Sequence, residues 1–161
     1  MRITDTHVYF FKDTDFMSNF YPSKFSVDGF QYNCNEQYIM ASKALVFKDN
    51  VIFDKIMNET VPYNIKKLGR QVKNFTDKEW LKHRDHILYS GLIAKFSQND
   101  DLYRLLRKTK KLVLVEASPY DKIYGVGLGE DDPKILDESN WLGENLLGYT
   151  LMKVRDDLTK E

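Results

Sequence analysis

Helix boundary signals recur along this sequence, and their number limits what the chain can fold into. A Thr-x-x-Glu capping box at Thr76 and Glu79 predicts the start of a long helix that runs to about Phe96. Asn33 stands three residues before Glu36, which is a second capping arrangement. With the other start and end signals, these patterns predict a series of helices. They cover residues 34–48, 49–57, 62–69, 76–96, 99–108 and 144–158.

Patterns typical of strands are few and short by comparison. They cover residues 7–11, 24–33 and 111–116. The second of these is a predicted hairpin, because Asp28 and Gly29 form a favoured turn pair in its middle. Glycines and acidic residues between 125 and 140 predict loops. We therefore predict a mainly helical α+β fold with a few short strands, rather than a doubly wound sheet, in a single domain over residues 1–161.

The composition is that of an ordinary soluble globular protein, with 42% hydrophobic and 30% charged residues. Because 24 basic residues balance 24 acidic ones, no overall field draws the chain onto nucleic acid or an acidic membrane. The lone Cys34 excludes an internal disulfide, and three histidines beside it are too few for a convincing zinc site. No segment has the apolar run of a signal sequence or a membrane span, so we expect a cytoplasmic protein.

Glu36 and Lys43 stand seven residues apart in the first predicted helix. At that spacing they point within about 20° of each other and lie roughly 10 Å apart along the axis. Long side chains lean toward the N-terminus of a helix, so Lys43 reaches back toward Glu36 past Met40. On spacing alone, a solvated charge pair on a surface helix fits this pattern better than a site.

A second group of polar residues follows the last predicted strand. Glu116 ends this strand, and Ser118 and Asp121 come soon after it, in positions that suit either a loop-borne site or an ordinary turn. Tyr124 and Gly125 begin a Y-G-V-G stretch, where glycine lets backbone approach a ligand. This stretch matches neither a dinucleotide fingerprint nor a P-loop.

A basic cluster lies at the predicted end of the helix 62–69. Lys66, Lys67 and Arg70 surround Gly69 there. Cations at this end suit the helix dipole without any ligand, and they equally suit contact with phosphate. The chain has no G-x-S-x-G, H-E-x-x-H or Walker A motif, which argues against the common serine hydrolases, zincins and P-loop enzymes.

Short motifs between about residues 16 and 158 form an ordered series. They are F-M-S-N-F-Y-P from Phe16, N-E-Q-Y from Asn35, K-K-L-G-R from Lys66, W-x-x-x-R from Trp80, Lys95-Phe96, L-V-E-A-S-P from Leu114, Y-G-V-G from Tyr124 and N-L-L-G from Asn145. In this order they resemble the signature of the NADAR (YbiA-like) family. Gln37 stands where that family usually has His, and it keeps hydrogen bonding but cannot titrate.

The resemblance implies a YbiA-like fold and N-glycosidase activity on a ribose joined to an amine. The implied substrates are ribosylaminopyrimidine intermediates of the riboflavin pathway, or ADP-ribose attached to guanine. Nucleic acid would then enter only as a substrate, the membrane is no partner, and no metal or redox cofactor is required. The alternative on the same scaffold is a non-catalytic module that binds ADP-ribose or another NAD-derived nucleotide.

The resemblance also implies a set of site residues. The expected catalytic residues are Glu36 as acid and base, Lys43 as a nucleophile that forms a Schiff base with ribose C1, and Asp121 or Glu116 as a second carboxylate. The expected substrate-binding residues are Asn19, Lys67, Gly69, Arg70, Trp80, Glu116, Ser118, Tyr124, Gly125 and Asn145. Lys43 becomes nucleophilic only if burial lowers its pKa more than Glu36 raises it, and the sequence leaves that balance open.

Overall fold

A computed structural model of the chain describes residues 1–160, which belong to two compact units. The helical unit comprises residues 19–99, and the terminal unit joins residues 1–18 to the residues from 100 onward. Over the described residues there are seven α-helices and five short strands. This confirms the mainly helical α+β fold, while the single domain over the whole chain stays a prediction.

The elements follow one another in an order close to the predicted one. They are β1 (Arg2–Ile3), β2 (His7–Phe10), β3 (Phe25–Val27), β4 (Phe30–Tyr32), α1 (Asn35–Val46), α2 (Asn50–Met57), α3 (Pro62–Gly69), α4 (Asp77–Leu81), α5 (Arg84–Ser97), α6 (Asp100–Lys108), β5 (Val113–Glu116) and α7 (Leu146–Thr159), with 3₁₀ turns at Pro133–Leu136 and Glu138–Asn140. None of the helices in residues 1–160 is both long and apolar enough to cross a membrane.

The helical unit opens with the predicted hairpin. β3 and β4 pair antiparallel, and Phe25 lies opposite Tyr32. Asp28 and Gly29 have φ angles of 51° and 85°, as a type I′ turn requires at both central positions. The helix after it begins where it was predicted, but not with the predicted cap.

Asn33 does not cap α1, so the predicted capping arrangement is wrong. The N-cap residue is Cys34, whose side chain makes no capping hydrogen bond. Gln37 instead reaches back, and its Oε1 accepts the N–H of Asn33 at 2.8 Å. The N–H of Glu36 donates to the backbone carbonyl of Asn19 at 2.9 Å. A distant segment therefore satisfies a helix-start donor that the local pattern assigned to a neighbouring side chain.

The single long helix predicted from the Thr76 capping box is in fact two helices. Thr76 does cap α4, since its Oγ1 accepts the N–H of Glu79 at 3.3 Å. The N–H groups of Lys82 and His83 then bond three residues back, which tightens and ends α4. No apolar side chain lies between Leu81 and Ile87. The core therefore does not hold this turn in a helix, and Lys82 and His83 pair with Glu79 instead.

The terminal unit is built on a three-stranded sheet in the order β1-β2-β5. β1 runs antiparallel to β2, and β2 runs parallel to β5, so that Phe10 lies opposite Glu116. β1 was not predicted, because two residues are too few to show a period. The buried core beside this sheet consists of Tyr9, Val115, Ala117, Val126, Leu128 and Ile135. The sheet thus sets the place of Glu116 at the carboxyl end of β5.

Candidate functional site

Glu36 lies in the first turn of α1 and is buried, with 8% of its surface exposed. A carboxylate in this position is stabilised by the positive end of the helix dipole. Asn19 holds the same helix start through two atoms. Its carbonyl accepts the N–H of Glu36, and its Oδ1 accepts from Asn35 Nδ2 at 2.8 Å. The side-chain oxygen of Asn19 is thus used to position α1, although Asn19 was predicted to bind substrate.

Lys43 is half-buried on the same helix, and its ammonium lies 4.4 Å from the centre of the Phe75 ring. Burial lowers the pKa of Lys43, and this effect exceeds the opposite effect of Glu36, which raises the pKa. Arg70 lowers the pKa further, and Asp77 raises it slightly. The balance that the sequence left open is therefore decided in favour of a lowered pKa.

Gly69 lets α3 pack closely against α1. A Cβ at this position would overlap the sulfur of Met40, which lies between Glu36 and Lys43 on α1. Gly69 is buried, and its contribution is this close approach. Glu36, Met40 and Lys43 lie along one side of α1, which we call the Glu36–Lys43 stripe. The close approach brings the C-terminal end of α3 to this stripe, which explains how Arg70 acts on the pKa of Lys43.

The lysines of the K-K-L-G-R motif lie near aromatic rings. The ammonium of Lys67 lies 4.6 Å from the centre of the Tyr63 ring, and that of Lys66 lies 6.0 Å from the centre of the Phe20 ring. Lys67 and Arg70 are exposed, and Lys66 is half-buried. These side chains form a basic end of α3 that remains accessible to an anion.

Trp80 and Gln37 belong to the interior of the helical unit. Trp80 is only 8% exposed, which fits core packing better than stacking on a substrate base. Gln37 is 1% exposed, and its Nε2 donates to the carbonyls of Ile56 and Glu59. Because its Oε1 accepts the N–H of Asn33, the whole amide is engaged with backbone. Gln37 thus ties α1 to the end of α2, a task that needs no titrating group.

A shallow cavity of about 300 Å³ lies on the helical unit but not at this stripe. Its lining comes from residues 47–51 and from Lys73 and Asn74. Glu36 and Lys43 are not part of it. The seven-residue spacing and the family resemblance predict that these two side chains face one cleft, and this cavity does not test that prediction.

In the terminal unit, Ser118 and Asp121 build the loop after β5. Ser118 Oγ accepts the N–H groups of Tyr120 and Asp121 at 3.3 and 3.1 Å. Asp121 Oδ1 accepts the N–H groups of Ile123 and Tyr124, both at 2.9 Å. These are the bonds of side-chain-stabilised turns, the alternative that the sequence left open. They also fix the backbone on which any chemistry of this loop depends.

Gly125 lets this loop fold back onto the end of β5. A Cβ there would lie 3.0 Å from Glu116 Cγ and 2.9 Å from the carbonyls of Glu116 and Asp121. The close approach predicted for this glycine is therefore an approach to the protein's own backbone. Glu116 and Tyr124 are both half-buried beside it.

Asn145 is fully buried and joins the start of α7 to β5. Its Oδ1 accepts the N–H of Glu116 at 3.0 Å, and its Nδ2 donates to the carbonyl of Leu114 at 2.9 Å. Its φ of 51° lies in the left-handed region, which Asn tolerates better than most residues. Asn145 was predicted to bind substrate, and the structure assigns its amide to holding the strand that carries Glu116.

Sequence reasoning missed three contributors in the helical unit. Phe75 covers the ammonium of Lys43, and Asn35 connects α1 to Asn19. Lys95 is fully buried, with its ammonium 5.7 Å from the Tyr21 ring centre. Asn35 and Lys95 each carried a signal, since they belong to matched motifs, whereas Phe75 lies in a loop without one. Among residues 1–160, no three His, Cys, Asp or Glu side chains meet as metal ligands would.

Comparison with known proteins places the chain in a family. The NADAR domain matches residues 9–159. "Protein irg-1" of Caenorhabditis elegans is 39% identical over 96% of this chain and 81% of that protein. "N-glycosidase R617" of Acanthamoeba polyphaga mimivirus is 46% identical over 79% of this chain and 75% of that protein. The NMR structure of Escherichia coli YbiA has a TM-score of 0.80 and 28% identity, covering 99% of this chain and 88% of that one. The chain belongs to the NADAR domain family.

Proposed function

We propose that this N-glycosidase hydrolyses a bond between ribose C1 and an amine nitrogen, with Glu36 and Lys43 as its catalytic pair. The observation that carries the proposal is the environment of Lys43, which is half-buried under the Phe75 ring. Burial there lowers the pKa of Lys43 more than Glu36 raises it. Desolvation of this kind is one way in which proteins make a lysine nucleophilic at neutral pH.

The chemistry of an amine-linked ribose suits such a lysine. The nitrogen lone pair expels the ring oxygen, which takes a proton from the carboxylic acid of Glu36, and an iminium remains at C1. The neutral amine of Lys43 adds to C1, a proton moves to the departing nitrogen, and the amine leaves as Lys43 forms its own iminium. Water then adds at C1, returns a proton to Glu36 and releases the lysine as the ring closes. One water is consumed, and the products are the free amine and the free sugar.

The basic end of α3 supports a phosphorylated substrate. Arg70 lies close enough to Lys43 to lower its pKa, and Lys67 is exposed on the same helix. Guanidinium and ammonium groups are the usual partners of phosphate oxygens. We infer that they hold a phosphate of the substrate while Lys43 meets ribose C1.

Two substrate types fit this arrangement. One is a ribosylaminopyrimidine phosphate of the riboflavin pathway, and the other is ADP-ribose attached to guanine. Each joins C1 to an exocyclic amine and carries phosphate. Glu116 and Asp121 belong to the terminal unit, where Asp121 Oδ1 already accepts two backbone N–H groups. Their part as a second carboxylate stays a prediction, and Glu116 is the stronger candidate of the two.

Product analysis tests the activity. The purified chain is incubated with a ribosylaminopyrimidine phosphate and, separately, with an oligonucleotide carrying ADP-ribosylated guanine. We expect free ribose phosphate from the first or free ADP-ribose from the second, and a large loss in Glu36→Gln, on the order of 10²- to 10⁴-fold for a general acid–base group. Binding of ADP-ribose without any product would instead indicate a non-catalytic module.

Reductive trapping tests the covalent step. Borohydride added during turnover reduces an iminium and should fix the sugar onto the wild-type chain, at Lys43 by peptide mass spectrometry. Lys43→Ala should give neither adduct nor turnover. Lys55→Ala is the control, because Lys55 is an exposed lysine of α2 that lies outside the basic end of α3. Turnover without an adduct, or full activity in Lys43→Ala, would show that water attacks C1 directly.

A further inference from the structure

A groove in the terminal unit lies at the turn between α6 and β5. Its volume is about 790 Å³, and its lining is Asp5, Thr6 and residues 108–113. Lys108, Lys110 and Lys111 contribute three exposed ammonium groups to this lining, against the one carboxylate of Asp5. The chain as a whole is neutral, so this concentration of positive charge is local.

A buried arginine lies behind the same turn. Arg155 on α7 is 5% exposed, and its Nη1 donates to Thr109 Oγ1 and to the carbonyl of Leu112, both at 2.9 Å. Thr109 and Leu112 line the groove. Arg155 Nε is buried and has no hydrogen-bond partner among residues 1–160, and within that range no carboxylate forms an ion pair with Arg155.

An anion in the groove would explain both the cluster of lysines and the buried arginine, which otherwise need separate explanations. Lysines at the end of α6 suit the negative end of its dipole, so Lys108 alone needs no ligand. A buried guanidinium bound only to neutral oxygens is different, because a charge removed from water is costly unless an opposite charge compensates it. Burial accordingly lowers the pKa of Arg155, and the neighbouring Asp156 carboxylate offsets this only in part. An anion above Thr109 and Leu112 would offset both the buried charge and the mutual repulsion of the lysines.

We propose that the groove between α6 and β5 binds phosphate groups. Its lining carries the three lysines at positions 108, 110 and 111, and Arg155 is bonded to Thr109 and Leu112 of the same lining. Lysine and arginine side chains commonly bind phosphate, lysine as a point charge and arginine also through paired hydrogen bonds. The groove belongs to the terminal unit and the Glu36–Lys43 stripe to the helical unit, and binding in the groove does not depend on the glycosidase reaction.

Binding measurements with three probes test whether the groove binds phosphate and whether that phosphate belongs to a small molecule or to a nucleic acid. The probes are inorganic phosphate, ADP-ribose and a fluorescein-labelled single-stranded oligonucleotide, each titrated at low salt. Fluorescence anisotropy follows the oligonucleotide, and backbone amide shifts of residues 108–113 follow the other two. An oligonucleotide that binds far more tightly than ADP-ribose indicates a nucleic-acid backbone, and similar affinities indicate a phosphorylated small molecule. A three-lysine contact to single-stranded nucleic acid should give a log–log salt slope of about −2.

Matched charge reversals make the test specific. We expect Lys108→Glu/Lys111→Glu to weaken binding at least about tenfold, since two phosphate contacts become repulsive. Arg104→Glu/Arg107→Glu changes the net charge equally on exposed side chains of α6 that do not line the groove, and it should cost less than about threefold. Both variants should keep wild-type activity on a ribosylaminopyrimidine phosphate. Equal losses in the two variants, or no binding of any probe at low salt, would overturn the proposal.

Discussion

The surroundings of Lys43 shift its pKa in opposite directions, and the relative size of these shifts decides whether its amine can act as a nucleophile. Burial lowers its pKa most, Glu36 raises the pKa, and Arg70 lowers it again. A lysine with a lowered pKa binds fewer protons in the folded state than in the unfolded state. Burying the ammonium therefore lowers the free energy of unfolding at pH values below the folded pKa. This loss disappears as the pH rises from the folded pKa to the unfolded pKa.

Removal of Arg70 should shift the pH dependence of catalysis. Without this cation the pKa of Lys43 rises, so in Arg70→Met the rising limb of kcat/KM should move to higher pH than in the wild type. Initial rates measured from neutral to alkaline pH check this. Lys67→Met is the control, because it removes the same charge from a side chain whose ammonium lies over Tyr63. Rising limbs that coincide in Arg70→Met and the wild type would contradict the expectation.

Helix α1 is positioned by its contact with α5 as well as by Asn19. Gly91 of α5 lies against the first turns of α1, where a Cβ would overlap Asn35 Oδ1 and come within 2.6 Å of the Tyr38 ring. Both side chains are buried, and the amide of Asn35 is held by the hydrogen bond of its Nδ2 to Asn19. The same turns carry Glu36, so the distance between the two helices also sets the place of the carboxylate.

Gly91→Ala should therefore destabilise the protein and impair the site together. We expect a loss of about 1–3 kcal/mol in the free energy of unfolding, the usual range for overpacking a filled interior. Chemical denaturation measures it, and the remaining activity of the folded fraction reports the displacement of α1. Gly129→Ala is the matched control, since nothing lies within 4 Å of a Cβ there. Equal stability of the two variants would show that α1 and α5 separate without cost.

Asn145 acts at the same scale in the terminal unit, where it connects α7 to β5. Asn145→Ala loses two buried hydrogen bonds and puts Ala, which tolerates the left-handed region less well than Asn, at a φ of 51°, so we expect about 2–4 kcal/mol of destabilisation. Asn145→Gly loses the same bonds without backbone strain and should be about 1 kcal/mol less destabilised. Urea denaturation of both proteins gives the difference. The reverse order would mean that the backbone conformation contributes nothing here.

At the scale of the whole molecule, the lone cysteine reports on opening of the helical unit. Cys34 is buried at the start of α1, and burial raises its pKa to about 11. Because the thiolate is the reactive form, the native protein should react with a disulfide reagent far more slowly than the protein in urea. The absorbance of the thiol that the reagent releases measures the reaction rate of the native protein and of the protein in urea. Cys34→Ser supplies the background, and equal rates would place the thiol at an accessible surface.

The sequence predicted what depends on neighbouring residues. The hairpin turn at Asp28 and Gly29 and most helix bounds are local, and they are confirmed. The start of α1 was assigned to the wrong cap because its partner, Asn19, is distant in sequence. At the candidate site, the spacing of Glu36 and Lys43 was readable, but the ring of Phe75 over Lys43 was not.

The terminal unit is assembled from two stretches of chain, and this has a consequence for how the protein is made. β2 pairs in parallel with β5, whose residues are synthesised roughly a hundred residues later. The helical unit is contiguous, so it can leave the ribosome and fold while β2 still lacks β5. Contacts of such long sequence separation form slowly because closing the loop costs entropy. During translation, the strand H-V-Y-F therefore has an unpaired edge until β5 has been synthesised, and this edge can pair with another chain in the meantime.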